Sequence, residues 1–205
     1  MNMKKKLVTV CLVTCMAVTA VAGGTLAYFT DKTEEKINTF TVGKVDITLT
    51  EEAWDAPGAD HKIMPGKTLA KDPTVTVDGE SEAAWVFVEV EIGDKFNSLM
   101  DNYSGTNGKD DHEQFAAWTD GINEGWEYKG TQEGKLVYAY KTKALAANEK
   151  QTLFDNIVIP NMTSEELAKV KGNDVTLKIT AKAIQTAESL TDADKAYKAL
   201  YNIGE

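Results

Sequence analysis

Nine residues, Ala84 to Ile92 (AWVFVEVEI), limit the fold more than any other stretch. In an extended chain Val86, Val88, Val90 and Ile92 share one face, while Trp85, Phe87, Glu89 and Glu91 share the other. A helix would scatter both sets around its axis, so the pattern predicts a strand with one fully apolar face. The same period of two recurs at Val45, Ile47 and Leu49, which alternate with Asp46 and Thr48, and at Thr74 to Val77. It resumes at Leu136 to Lys141 after a turn at Gln132, Glu133 and Gly134. Gln151 to Ile159 and Asp174 to Ile184 read as further strands, and aromatic strands are predicted near Phe115 to Trp118 and Gly125 to Tyr128. Helical signals are short: Lys95 to Tyr103, Ser164 to Val170 capped by Thr163 or Ser164, and Asp192 to Tyr201 capped by Thr191. Many short strands without long alternating helices predict an all-β, antiparallel sandwich with short peripheral helices.

The first 27 residues follow a different logic. Lys4, Lys5 and Lys6 precede an apolar run from Leu7 to Ala22, and Gly23, Gly24, Thr25, Leu26 and Ala27 follow it. That order is the one a secretory signal peptide shows. The run is short and rich in Thr and Ala, which disfavours a retained membrane anchor. Thr25 and Ala27 place the cut between Ala27 and Tyr28. The expected organisation is a signal peptide over 1–27, a mobile arm over 28–40, a sandwich domain over 41–190 and a C-terminal helix or tail over 191–205. Both cysteines, Cys11 and Cys15, fall before the cut, so residues 28–205 carry no thiol and no disulfide. Thiol catalysis and thiolate metal sites are thereby excluded for the exported part.

Charge narrows the partners. The 205 residues hold 22 basic and 32 acidic side chains, for a formal net charge of −10, and every basic side chain is Lys. Removing the leader takes three lysines away and makes the remainder more acidic. Without the planar fork of arginine and with repulsion towards phosphate, nucleic acid is not an expected partner.

Site chemistry is sparse. The two histidines, His61 and His112, stand far apart and lack the paired spacing that lets a helix offer two imidazoles to zinc. Asp110, Asp111, His112 and Glu113 read as an exposed charged turn, with metal ligation the sharper alternative. Asp101 to Glu113 carries acids, Gly105 and Gly108, but lacks the acid spacing of a helix–loop–helix calcium site. Ser81, Ser98, Ser104, Ser164 and Ser189 have no nucleophile setting. Of Trp54, Trp85, Trp118 and Trp126, only Trp118 and Trp126 sit in surroundings suited to a sugar-stacking platform, and core packing is the competing reading. No metal, cofactor or catalytic residue is expected.

At GGTLAYFTDK (Gly23 to Lys32) and NTFTVGKVDITL (Asn38 to Leu49) the chain resembles the TasA/camelysin family of exported proteins from Gram-positive bacteria. Pro65-Gly66-Lys67 and Asp174 to Ala183 extend the resemblance more weakly. It implies a dedicated signal peptidase cutting after Ala27, and a jelly-roll-like sandwich secreted to the extracellular matrix or cell surface. It further implies assembly into biofilm fibres, the freed arm adding as a strand to the next subunit. The matching arm is Tyr28 to Phe40. Its middle, TDKTEEK, is charged, so its apolar anchors are Tyr28 and Phe29 at the free end and Ile37 and Phe40 beside the domain. The expected partners are other copies of the chain, other matrix proteins and the signal peptidase, with the membrane met only during export. Some members are called metallo-endopeptidases, so a secreted metal-dependent endopeptidase is one alternative function and a glycan-binding surface module another.

Overall fold

The computed structural model describes residues 44–168 and 175–204. They form an antiparallel β-sandwich with short peripheral helices. One sheet has four strands: β5 (Trp126–Gln132), β6 (Lys135–Tyr140), β4 (Ala84–Ile92) and β9 (Leu177–Gln185), in that spatial order. A second has three, β1 (Ile47–Thr50), β3 (Thr74–Val77) and β7 (Lys150–Thr152), and β2 (Thr68–Ala70) pairs with β8 (Asn156–Val158). Every pairing is antiparallel. Among the described residues there are four α-helices, α1 (Asp94–Asp101), α2 (Asp111–Ala117), α3 (Ser164–Ala168) and α4 (Ala193–Leu200), and one 3-10 turn, Ser104–Thr106.

The alternation in β4 resolves into two cores. Val86, Val88 and Val90 point inward with Leu136 and Tyr138 of β6, and meet Val75 and Val77 of β3. Trp85 and Phe87 point outward with Val137 and Ala139, and α4 covers them through Ala193, Ala196 and Tyr197. A sheet covered on both sides needs strands that are apolar on both faces, and β4 is apolar on both for its first half. Each fully buried Val or Phe contributes roughly 1.5–3 kcal/mol. The hairpin from β5 to β6 turns on Glu133 (φ 50°) and Gly134 (φ 77°). Two successive left-handed residues give the turn whose twist matches that of the flanking strands.

Four expectations are corrected. Phe115 to Trp118 is not a strand: Phe115 lies in α2 and Trp118 caps that helix. Asp110 accepts from the Glu113 N–H while Glu113 accepts from the Asp110 N–H, a reciprocal cap that starts the helix. Asp110 to Glu113 is therefore a helix start and not a free turn. Gln151 to Ile159 is two short strands in different sheets, because Leu153 and Phe154 both lie in the inner core and one strand cannot send consecutive side chains to the same face. The last helix is capped by Asp192, which accepts from the Lys195 N–H at 2.9 Å, and not by Thr191.

Candidate functional site

The predicted cleavage pair Ala27 and Tyr28 and the arm anchors Phe29, Ile37 and Phe40 lie outside the described residues. The sandwich presents the surfaces on which such an arm could add. Strand addition needs a backbone edge without a partner, so the edges of the four-stranded sheet come first.

Strand β5 ends the sheet on one side, and its edge is obstructed. The register with β6 slips between Tyr128 and Gly130, a bulge at Lys129, with Gly130 at φ 127°. The Lys129 ammonium reaches the Glu127 carboxylate at 2.9 Å and the Asp194 carboxylate of α4 at 2.5 Å. Burial opposes its charge, but hydrogen bonds to Asp194 and then Glu127 outweigh burial and hold its pKa above the ordinary lysine value. A bulge with a fixed charge is a barrier to a regular incoming strand.

Strand β9 ends the sheet on the other side. It pairs with β4 over all nine residues without a register shift, from Leu177 opposite Ile92 to Gln185 opposite Ala84. Among the described residues its outer edge has no strand partner. Leu177, Ile179, Ala181 and Ala183 are half-buried against the inner core. β1, an edge of the three-stranded sheet, lies beside it: a cavity of about 400 Å³ is lined by Leu49 and Glu51 from the β1 side and Leu177 and Ile179 from β9. A second cavity of about 270 Å³, walled mainly by Leu69, Phe96, Ile157, Ile159 and Leu177, adjoins it. Lys71 and Leu177 line both cavities. The sandwich thus has a seam between two strand edges, mainly apolar where Phe96, Ile157 and Ile159 wall it and charged beside β1, where Glu51, Glu52, Asp55 and Lys71 line the larger cavity.

The charged side of the seam holds Glu51, Glu52, Asp55 and Lys71. Lys71, 4% exposed, donates to both Glu51 oxygens at 2.7 Å. Its ammonium stands 4.6 Å from the centre of the Trp54 ring. His61 stacks on the same indole with ring centres 3.7 Å apart, and its Nε2 lies 2.9 Å from the Trp54 carbonyl oxygen. Sequence reasoning missed this cluster, because Trp54 and Lys71 meet only through the loop that closes the seam.

The metal reading meets no fitting set of donors. His61 is held in that stack. His112 lies flat against Tyr128 at 4.0 Å, and its Nδ1 shares a 3.0 Å hydrogen bond with the Tyr138 hydroxyl, which burial keeps protonated. Asp110 and Glu113 cap α2. Asp120 accepts from the N–H groups of Asp155 and Asn156 and from the Asn156 side chain; although burial opposes its charge, these bonds hold its carboxyl below the usual range. Among the described residues no three His, Cys, Asp or Glu side chains converge as metal ligands. Trp118 and Trp126 are buried, and the Trp126 indole donates to the Thr152 carbonyl, so neither offers a face to a sugar. Among the described residues no helix is long and apolar enough to cross a membrane.

A family model described as camelysin metallo-endopeptidase matches residues 2–116. The match takes in β1 to β4 and α1, hence the β1 side of the seam but not β9. Comparison with curated proteins finds no match.

Proposed function

The chain belongs to the camelysin metallo-endopeptidase family, and from that premise we propose that it is a secreted structural protein of the extracellular matrix or cell surface that joins to further copies by strand addition. The observation that carries this reading is the β9 edge, nine regular residues long and bordered by a seam that is apolar along Leu69, Ile157, Ile159 and Leu177 and charged beside β1. The donor is the arm, residues 28–40, freed by cleavage after Ala27. Its backbone pairs with β9, and Tyr28, Phe29, Ile37 and Phe40 supply the apolar side chains that fill the seam. Thirteen extended residues span roughly 43 Å, more than the full length of β9. Backbone pairing gives the affinity, and side chains seated in pockets give the register.

A peptidase would need a metal held by several donors or an activated nucleophile. His61 and His112 are each engaged by aromatic neighbours, Asp110 and Glu113 beside His112 cap α2, and among the described residues no three donors converge, so no hydrolytic step is assigned to them.

Electron microscopy of purified residues 28–205, with and without residues 28–40, tests the proposal. Fibres that require the arm are expected. Globular particles from both forms, together with chelator-sensitive peptide hydrolysis lost in His61→Ala or His112→Ala, would make the peptidase reading the better one.

A further inference from the structure

The outer face of the four-stranded sheet carries one feature that neither core requires. Glu89, on β4, is 3% exposed although it bears a charge. Lys182 of β9 donates to its Oε1 at 2.5 Å, and the Tyr201 hydroxyl donates to the same oxygen at 2.9 Å. Lys135 of β6 reaches Oε2 at 3.4 Å. The Lys182 ammonium also stands 4.8 Å from the centre of the Tyr201 ring. One carboxylate therefore joins β6, β4, β9 and the residue that caps α4. Lys182 faces Phe87 across the β4–β9 pair, two residues along β4 from Glu89, the diagonal spacing at which long side chains on neighbouring strands meet.

The C-terminal segment that brings Tyr201 here is seated at three other points. The Trp85 indole donates to the Leu190 carbonyl at 2.9 Å, Gln132 Nε2 donates to the Tyr197 hydroxyl at 2.7 Å, and Ala196 is fully buried. Tyr201 covers the Glu89 carboxylate, while the Lys182 side chain stays 40% exposed. A buried carboxylate needs its partners in place, because an uncompensated charge away from water is costly. An edge strand with a neighbour on one side depends on contacts of this kind to stay extended, and regions with few buried contacts and solvent-exposed backbone open first.

We propose that the C-terminal segment, residues 190–203, is a clamp on the acceptor edge: Tyr201 and Glu89 are positioning residues that hold Lys182, and with it β9, in strand geometry for the arm of a second copy. The clamp's role in assembly rests on the strand-addition reading, while its effect on β9 does not. When the segment lifts, Glu89 is hydrated, its grip on Lys182 weakens, and an arriving arm must first reorder the strand it pairs with. Lys135 and Lys182 are the cations facing Glu89 from β6 and β9, and Tyr201, with Tyr197 behind it, faces it from the C-terminal segment. Glu91 pairs with Lys178 at 3.3 Å in a more exposed position, and this pair does not involve Tyr201.

Tyr201→Phe in residues 28–205 keeps the ring and removes the hydroxyl, and Glu89→Gln removes the charge. Hydrogen exchange of the monomer and elongation from wild-type seeds are the two readouts. Loss of a hydrogen bond to a charged group is expected to speed amide exchange over residues 177–185 by about tenfold, more than over 135–140, which β4 and β5 flank, and to slow elongation. Unchanged exchange over 177–185 in both variants overturns the clamp. Faster exchange with undiminished elongation shows that the clamp orders β9 but does not serve assembly, which overturns the proposal's second half. Wild-type protein that never elongates defeats the strand-addition reading, and the exchange result still decides whether the clamp exists.

Discussion

The two edges of one sheet meet opposite requirements. At β5, a bulge, a glycine at positive φ and the Lys129 ammonium fixed between Glu127 and Asp194 break the regularity that an incoming strand needs. At β9, nine residues run in unbroken register, the inward side chains are small or apolar, and a seam separates the strand from the neighbouring β1. An edge as long and regular as β9 is a hazard unless something is meant to pair with it. The comparison teaches that, among the described residues, one edge is obstructed and the other is regular, the asymmetry that the proposed directional growth from a single acceptor requires.

The largest expected effect comes from spoiling the regular edge. Ile179→Asp puts a charge on the seam wall of β9, whereas Thr131→Asp puts the same charge on the exposed part of β5. Burying an unpaired carboxylate against an arm costs more than the roughly 2 kcal/mol that one apolar side chain contributes. Fibre growth measured by light scattering should fall at least about thirtyfold for Ile179→Asp, at about 1.4 kcal/mol per decade, and stay near wild type for Thr131→Asp. Equal effects would erase the distinction between the edges.

Acid offers an intermediate test. Burial opposes the Glu89 charge, but hydrogen bonds from Lys182 and Tyr201 outweigh it, so its carboxyl lies below the ordinary glutamate value of 4.5. A depressed folded pKa gives stability that is present above the unfolded value and is lost as pH falls through the folded one. The hydrogen bond from Lys129 likewise lowers Glu127, but that carboxylate is 44% exposed and its contribution is screened. Protection over 177–185, the exchange rate corrected for its intrinsic pH dependence, should stay level down to about pH 5 and be lost below 4.5, before protection over 126–132 responds. Simultaneous loss of protection at both edges would contradict the clamp's role at β9.

The smallest effect is expected at the obstructed edge. Lys129→Ala removes two ion pairs whose acids are largely exposed, so thermal unfolding should shift by less than about 1 kcal/mol. The informative change is in association: side-by-side aggregation should appear, because β5 has lost its charge barrier. Unaltered aggregation would mean that the bulge alone protects β5.

How much of this was legible in the sequence depended on how local each cause is. The strand over Ala84 to Ile92 was legible because its alternation is strong, and both of its faces follow from Val86, Val88 and Val90 against Trp85 and Phe87. The start of α2 was also legible in principle, since Asp110 and Glu113 have the spacing of a reciprocal cap, but the aromatic content of Phe115 to Trp118 suggested a strand instead. β2 is three residues long, too short for any period to show. The break at Leu153 and Phe154 reflects the chain passing between sheets. The seam was not legible at all, because being an edge is a property of the whole topology, and Trp54, His61 and Lys71 are brought together only by the loop that folds over β2. The arm, by contrast, was proposed from its own residues and from resemblance, and lies outside the described structure.

Cross-linking within assembled fibres tests the central claim most directly. Residues 28–205 contain no cysteine, so one introduced in the arm and one introduced at an edge report on that contact alone. Thr180→Cys on β9 is combined in turn with a cysteine at each position from 30 to 36, and Thr131→Cys on β5 serves as the comparison. A disulfide needs Cα atoms within about 7 Å, so a strand seated on β9 should give covalent ladders with Thr180→Cys at alternate arm positions and none with Thr131→Cys. Ladders formed with Thr131→Cys instead, or fibres that form without any arm-to-β9 cross-link, would contradict it.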